Sequence, residues 1–176
     1  MSVTIDTTGD AILTAVRAFL QSILPSTVEV IAGMDNEVPM PQGDFVSMTF
    51  SSMERLSLNA LDAYSTDSSG ASSVASMTPW RIQIALEIFS PSAQQYAATV
   101  AGVLRSEYGA DSFPAPVVPL FCADPIQLPF VTAGENWLQR WRIEFSAQVN
   151  ETVTMSTDTA GQIVIGLAPI YQTFAP

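Results

Sequence analysis

The groups in this sequence that could do chemistry are paired carboxylates, one thiol, a run of hydroxyls, three indoles and a pair of arginines. Asp35 and Glu37 flank Asn36 close to Gly33, where a metal or an acid–base pair could be imagined. A calcium loop needs more oxygen donors at regular spacing than Asp35-Asn36-Glu37 followed by Val38-Pro39 supplies, and a solvated turn accounts for them. Asp10, Asp44, Asp111 and Asp124 each stand beside glycine, alanine or proline, where caps and turns use them. Cys122 sits among Leu120, Phe121 and Ala123 with no cationic sequence neighbour, as a packed, inert thiol would. The hydroxyls from Ser65 to Ser73 have no base to activate them and no nucleophile-elbow pattern. Trp80, Trp137 and Trp141 could form a ligand platform, but at alternating strand positions they are expected in the core. Arg140 and Arg142 face away from Trp141, with Glu144, Glu87 or a neighbouring subunit's carboxylates as expected partners.

Composition narrows the chemistry further. The chain has 176 residues, about one domain's worth, and only 13% of them are charged, roughly half the usual ~25%. The six basic residues are all arginine; against 17 acidic residues they leave a net charge of −11. Without histidine there is no Ser-His-Asp or Cys-His catalysis and no imidazole ligand; without lysine there is no Schiff base and no phosphate-gripping lysine. The glycines are scattered singly, so no phosphate-cradling loop is present. So acidic a chain is not expected to grip a nucleic acid backbone, and a single cysteine forms no internal disulfide. No catalytic residue, cofactor site or metal site is expected. Met1 to Asp10 lacks the basic residues and apolar run of a secretory signal, and Ala11–Leu24 is too short to span a bilayer, so a cytoplasmic protein is expected. Low charge with 48% hydrophobic residues suggests that part of the surface is covered by partners.

The elements that must carry these groups can be read from periodicity. Ile12, Val16, Phe19, Leu20 and Ile23 recur at helical spacing, predicting a helix from Asp10 to Leu24, capped by Thr7 or Thr8 and stopped by Pro25. A short strand is expected over Thr27–Ala32 and another over Asp44–Ser52, where Val46, Met48 and Phe50 alternate with hydroxyls. The small polar residues between Leu61 and Thr78 predict a long flexible loop, because they offer little apolar area against the ordering entropy. The clearest strand is Trp80–Ile88. Ser90-Pro91 should open a second helix that runs to Tyr108, with Gly109 as its left-handed C-terminal cap. Five prolines between Phe113 and Phe130 predict an extended crossing segment without a helix or central strand. A last long strand is expected over Asn136–Asn150, then a candidate strand over Gln162–Leu167 and an apolar tail from Ile170 to Pro176. The predicted fold is α+β: a mixed or mainly antiparallel sheet of about four or five strands with two helices on one face. Residues 1–150 form one domain with a flexible loop at 62–78, and residues 151–176 a C-terminal extension.

Three stretches in this order resemble phage neck-terminator or tail-terminator proteins of the head–tail junction. They are Gly33-Met34-Asp35-Asn36-Glu37-Val38-Pro39-Met40-Pro41 with the strand to Phe50; Arg81-Ile82-Gln83-Ile84 through Phe89-Ser90-Pro91-Ser92-Ala93 to Leu104-Arg105-Ser106-Glu107-Tyr108-Gly109; and Trp137-Leu138-Gln139-Arg140-Trp141. The resemblance covers residues 8–150. It implies a virion structural protein that forms a ring, usually of six subunits. Such a ring caps the tail tube and joins it to the head–tail connector or adaptor protein, with the sheath protein as a further neighbour. DNA would pass through an acidic lumen without specific binding, and no membrane is involved. The implied location is the virion tail or neck, after assembly in the host cytoplasm. The Ser-rich loop and the tail would serve as contact arms. The expected subunit and partner contacts are Arg55, Asp67, Ser69, Arg81, Arg140, Arg142, Ile163, Ile165 and Tyr171. The alternatives are a tail-tube or tail-completion protein and, from another class, a small ligand-binding module built on the tryptophans.

Overall fold

A computed structural model describes residues 2–33, 41–59, 61–67, 71–129 and 139–157. The elements in chain order are β1 (Val3–Ile5), α1 (Gly9–Ile23), β2 (Glu29–Ala32), β3 (Phe45–Arg55), β4 (Leu61–Thr66), β5 (Ser72–Phe89), α2 (Ala93–Leu104), α3 (Glu107–Ser112), β6 (Val117–Cys122), β7 (Ile126–Leu128) and β8 (Arg140–Thr157). The class is α+β, as the sequence predicts; the described residues form eight strands where four or five were expected, and a third, short helix.

All eight strands belong to one sheet. Its spine runs β1-β8-β5-β3-β2; β4 pairs with β5, and β6 and β7 pair with β8. Only β2 and β3 run parallel among these pairs; the others are antiparallel. The two 18-residue strands β5 and β8 pair along their whole length, from Ser72 opposite Thr157 to Phe89 opposite Arg140.

Helices α1 and α2 cover one face of the inner half of this sheet. Thr8 caps α1, its hydroxyl accepting from the Ala11 N–H at 3.3 Å. The α1 stripe of Ile12, Val16, Phe19 and Leu20 is buried, as are Ala93, Ala97, Val100 and Ala101 of α2. They meet Val46 and Met48 of β3, Ile82 to Ile88 at alternate positions of β5, and Ile143, Phe145, Ala147 and Val149 of β8. Phe113 links the layers, stacked on Phe19 at 4.4 Å between ring centroids and tilted against Phe145 at 6.2 Å.

Four expectations need correction. The Leu61–Thr78 stretch is not a flexible loop where it is described: residues 61–66 are β4, and residues 72–78 are the first part of β5. Burial is not what orders it. The backbone from Ser72 to Met77 pairs with β4 on one edge and β8 on the other. Hydroxyls bridge the hairpin, Ser65 to Ser73 and Thr66 to Ser72, each at 2.9 Å. Asn59 ties in from below, donating to Ser76 Oγ at 2.7 Å and accepting from Thr78 Oγ1 at 3.0 Å.

The second helix does not start at Pro91 or reach Tyr108. Ser90 Oγ accepts from the Ser92 N–H in a turn, α2 begins at Ala93, and it ends at Leu104. The chain then bends, and Ser106 caps α3 by accepting from the Gly109 N–H at 3.2 Å. Gly109 therefore lies inside α3 and is no left-handed cap. It must be glycine because a Cβ there would overlap the carbonyl oxygen of Val103.

Among the described residues the proline-rich segment holds no helix or central strand, as expected, but it is more than a crossing segment. There β6 and β7 pair only with β8, so they are edge strands, and a register shift between Pro119 and Phe121 leaves Leu120 without a partner in the ladder. The Ala115–Pro116 peptide is cis. Finally, the last long strand does not stop at Asn150 but runs on to Thr157, held by β5 and by β1. Residues 151–157 are thus part of the sheet.

Candidate functional site

The expected contact residues divide into three groups. Arg140 and Arg142 come together on the sheet face away from the helices. Arg140 donates to Glu87 at 2.6 Å and lies 5.4 Å over the Phe89 ring, which stacks on Phe45; Arg142 pairs with Glu144. Arg81 pairs with Glu54 across β5 and β3. Arg140 and Arg81 are held across strands and Arg142 by a carboxylate on its own strand; Glu87 and Glu144 were among the partners expected for Arg140 and Arg142. Arg55 and Asp67 lie at the far end of the sheet. Arg55 is exposed, stands opposite Trp80, and makes no salt bridge among the described residues. Asp67 closes the β4–β5 turn by accepting from the Ala71 N–H at 3.0 Å. Ser69, Ile163, Ile165 and Tyr171 lie outside the described residues, as do Trp137, the Asp35–Glu37 turn and the candidate strand 162–167.

No group is poised for catalysis at these places. Cys122 is buried, and burial pushes its thiol above the ordinary range even though Arg105 works in the opposite direction. Arg105 grips the Cys122 carbonyl oxygen at 3.0 and 3.1 Å and Asp124 at 2.6 Å, so its role is to fasten α2 to the end of β6. Trp80 is half buried and donates its indole N–H to Glu151 at 2.9 Å. Among the described residues no three His, Cys, Asp or Glu side chains could share a metal ion. No described helix is long and apolar enough to cross a membrane.

Two exposed apolar surfaces stand out instead, and neither was singled out from the sequence. The first is an extension of the sheet beyond the helices. Residues directly opposite in antiparallel strands share a face, so Val3 with Met155, Ile5 with Val153, Tyr64 with Val74 and Met53 with Ile82 continue the helix-side face of the core outward. Among the described residues no helix covers the outer ones: Val3 is 62% exposed, Tyr64 79% and Met53 52%. Where this face passes under the start of α1 it deepens into a groove of about 400 Å³ lined by Ile12, Phe50, Met53, Val149 and Glu151. Asp6 clasps the rim. Its backbone and carboxylate exchange hydrogen bonds with Thr152 at 3.2 and 2.8 Å. Partial desolvation pushes this carboxyl up, but the hydrogen bonds, first from Thr152, outweigh it and hold the group below its ordinary value.

The second surface lies at the other edge of β8. Val118, Leu120, Phe121 and Ile126 are exposed on β6 and β7, with Phe121 at 69%. Beside them an open groove of about 670 Å³ runs between the α2–α3 bend and β6, bordered by Arg105, Glu107 and Asp124. The sequence signal for both surfaces was present. Val153 and Met155 keep the β8 alternation past Asn150, and Val117-Val118-Pro119-Leu120-Phe121-Cys122 is apolar on both faces although it forms an edge.

The comparisons bear on these surfaces. The chain is similar to a sheath/tube terminator of an extracellular contractile injection system, solved by cryo-electron microscopy in its extended state. The TM-score is 0.55 at 14% identity, over 95% of this chain and 64% of that one, so this chain spans less than two thirds of its neighbour's length. That likeness is one of fold. No curated protein sequence matches. A family model described as phage neck terminator protein matches residues 10–173, which include the helix-covered core and both exposed surfaces except β1. The chain belongs to the phage neck terminator family and is a structural component of the neck end of a phage tail.

Proposed function

We propose that the chain closes the end of the tail tube as a ring of identical subunits, stops tube growth, and forms the seat for the head–tail connector. The observation that carries this reading is the family match over residues 10–173. The two exposed apolar surfaces support it. A ring closed by head-to-tail contacts needs two different patches on every subunit, and the bare sheet extension and the β6–β7 side lie on different parts of the subunit. Six subunits is the expected number. The tube protein would be the axial partner on one side and the connector on the other. The sheath protein would be a further neighbour in a contractile tail, as the similar injection-system protein is a sheath/tube terminator.

Charge supports the passage of DNA without capture. Four of the six arginines are neutralised by internal carboxylates, and the net charge is −11. A lumen lined by such subunits repels phosphates and lets a duplex slide. The structural role leaves catalysis without a part, and assembly would take place in the host cytoplasm with no membrane contact.

The test is to add the purified chain to polymerising tail-tube protein and to measure tube lengths in negative stain. Short tubes with a ring at one end are expected. Tube lengths that ignore the chain contradict the reading, and long tubes built from the chain alone would make it a tube protein instead.

A further inference from the structure

Among the described residues nothing supplies the sheet extension with the helical layer that covers the same face further in, and the chain itself holds a segment suited to cover it. We propose that residues 162–167 of one copy lie on the helix-side face of the sheet extension of the next copy, over Val3, Ile5, Val74, Val153, Met155 and Tyr64. The inference rests on the oligomeric terminator reading and adds to it which surface is covered and by what.

Three features point to this occupant. The first is chemistry. After Asp158 the sequence to Pro176 carries no charged side chain, and Ile163, Ile165 and Leu167 alternate with Gln162, Val164 and Gly166, so one side of an extended segment is wholly apolar. Each copy has a net charge of −11, and an uncharged strap is the part of one copy that can approach another without repulsion. The six side chains it would cover are all uncharged, with Arg55 and Glu151 at the inner end of that face, whereas the groove beside β6 is bordered by Arg105, Glu107 and Asp124.

The second feature is length. At about 3.3 Å per residue, residues 162–167 span roughly 20 Å, about the length of β8 from Glu151 to Thr157 that has no helix above it. The third is the point of departure. β8 reaches Thr157 with both its edges taken, by Ser72 of β5 on one side and by β1 on the other, where the Ser156 N–H donates to the Ser2 carbonyl. No edge of β8 is therefore left open at Thr157 for the following segment to pair with. A strap passed from copy to copy is a head-to-tail contact, the kind that closes a ring.

The experiment places the photo-cross-linker benzoylphenylalanine at position 165 of the full chain. Light and nitrogen-15-labelled copies are mixed before assembly and illumination, and the joined peptides are read by mass spectrometry. Light–heavy peptides linking position 165 to residues 3–5, 64, 74 or 153–155 are expected, and a chain ending at Thr157 should lose self-association by light scattering. Links confined to one copy overturn the exchange, as do links to residues 118–126. So does the absence of light–heavy links at any concentration up to the solubility limit. Where exchange fails but the assembled mass or the capping of tubes persists, the terminator reading stands without it.

Discussion

The inner and outer halves of the same sheet are built from the same two long strands and meet different fates. From Arg81 to Phe89 and from Arg140 to Val149, β5 and β8 carry Ile, Leu and Phe at alternate positions, and α1 and α2 lie over them. From Ser72 to Trp80 and from Glu151 to Thr157, the same strands carry Ser, Thr, Val and Met, and no described helix lies over them. The inner half is held by burial and the outer half by its hydrogen-bond ladder and cross-strand hydroxyl pairs. A sheet half that is ordered without a core of its own is free to take its core from a partner, which is what a terminator needs.

Substitutions should separate the halves sharply. The largest effect is expected in the inner half: Phe145→Ala empties a fully buried site against Phe113 and should cost about 3–5 kcal/mol in chemical unfolding. Met155→Ala, at the outer end of the same strand, should stay within about 0.5 kcal/mol; a comparable loss at both positions would break the contrast. Next in size is Gly109→Ala, whose Cβ would overlap the Val103 carbonyl and force α2 and α3 apart. A loss of about 1–3 kcal/mol is expected by the same measurement. Gly102→Ala is the matched control. Nothing lies near a Cβ there, so removing glycine's backbone freedom should raise stability by about 1 kcal/mol.

The smallest effect concerns the rim. The Asp6 carboxyl titrates below the ordinary carboxylate value in the folded chain, so its contribution is fully present above that ordinary value and is lost as pH falls through the folded one. Amide exchange of β1 and of the facing residues of β8 should therefore accelerate on acidification through that range, before the inner strands respond. Asp6→Asn should remove the pH dependence of β1. Uniform acceleration across β5 would show that the two halves do not open separately.

The contrast also explains what the sequence disclosed. Helix α1, the inner parts of β3, β5 and β8, and the internal pairing of Arg140 with Glu87 and Arg142 with Glu144 were legible because apolar alternation and charge complementarity decide them. The β4–β5 hairpin was not, because Ser65, Ser72, Ser73 and Ser76 offer no apolar side chain to signal burial, and their order comes in part from a ladder with β8, far away in sequence. Gly109 was misread for a similar reason: a glycine near a helix end has two uses, and only the approach of the Val103 carbonyl tells them apart. The apolar residues of the exposed surfaces were visible in the sequence, but their exposure was not, because an apolar strand looks the same whether a helix covers it or nothing does. A deletion of Ser65–Ser76, harmless for a flexible loop, would instead remove the last two residues of β4 and the first five of β5.

The most direct test of the outer half as the assembly surface is the length of tail tubes formed in the presence of an Ile5→Asp, Met155→Asp double variant, alongside its thermal melt. A wild-type-like melt with tubes that are no longer capped is the expected result. A variant that folds and caps tubes as the natural chain does would contradict it.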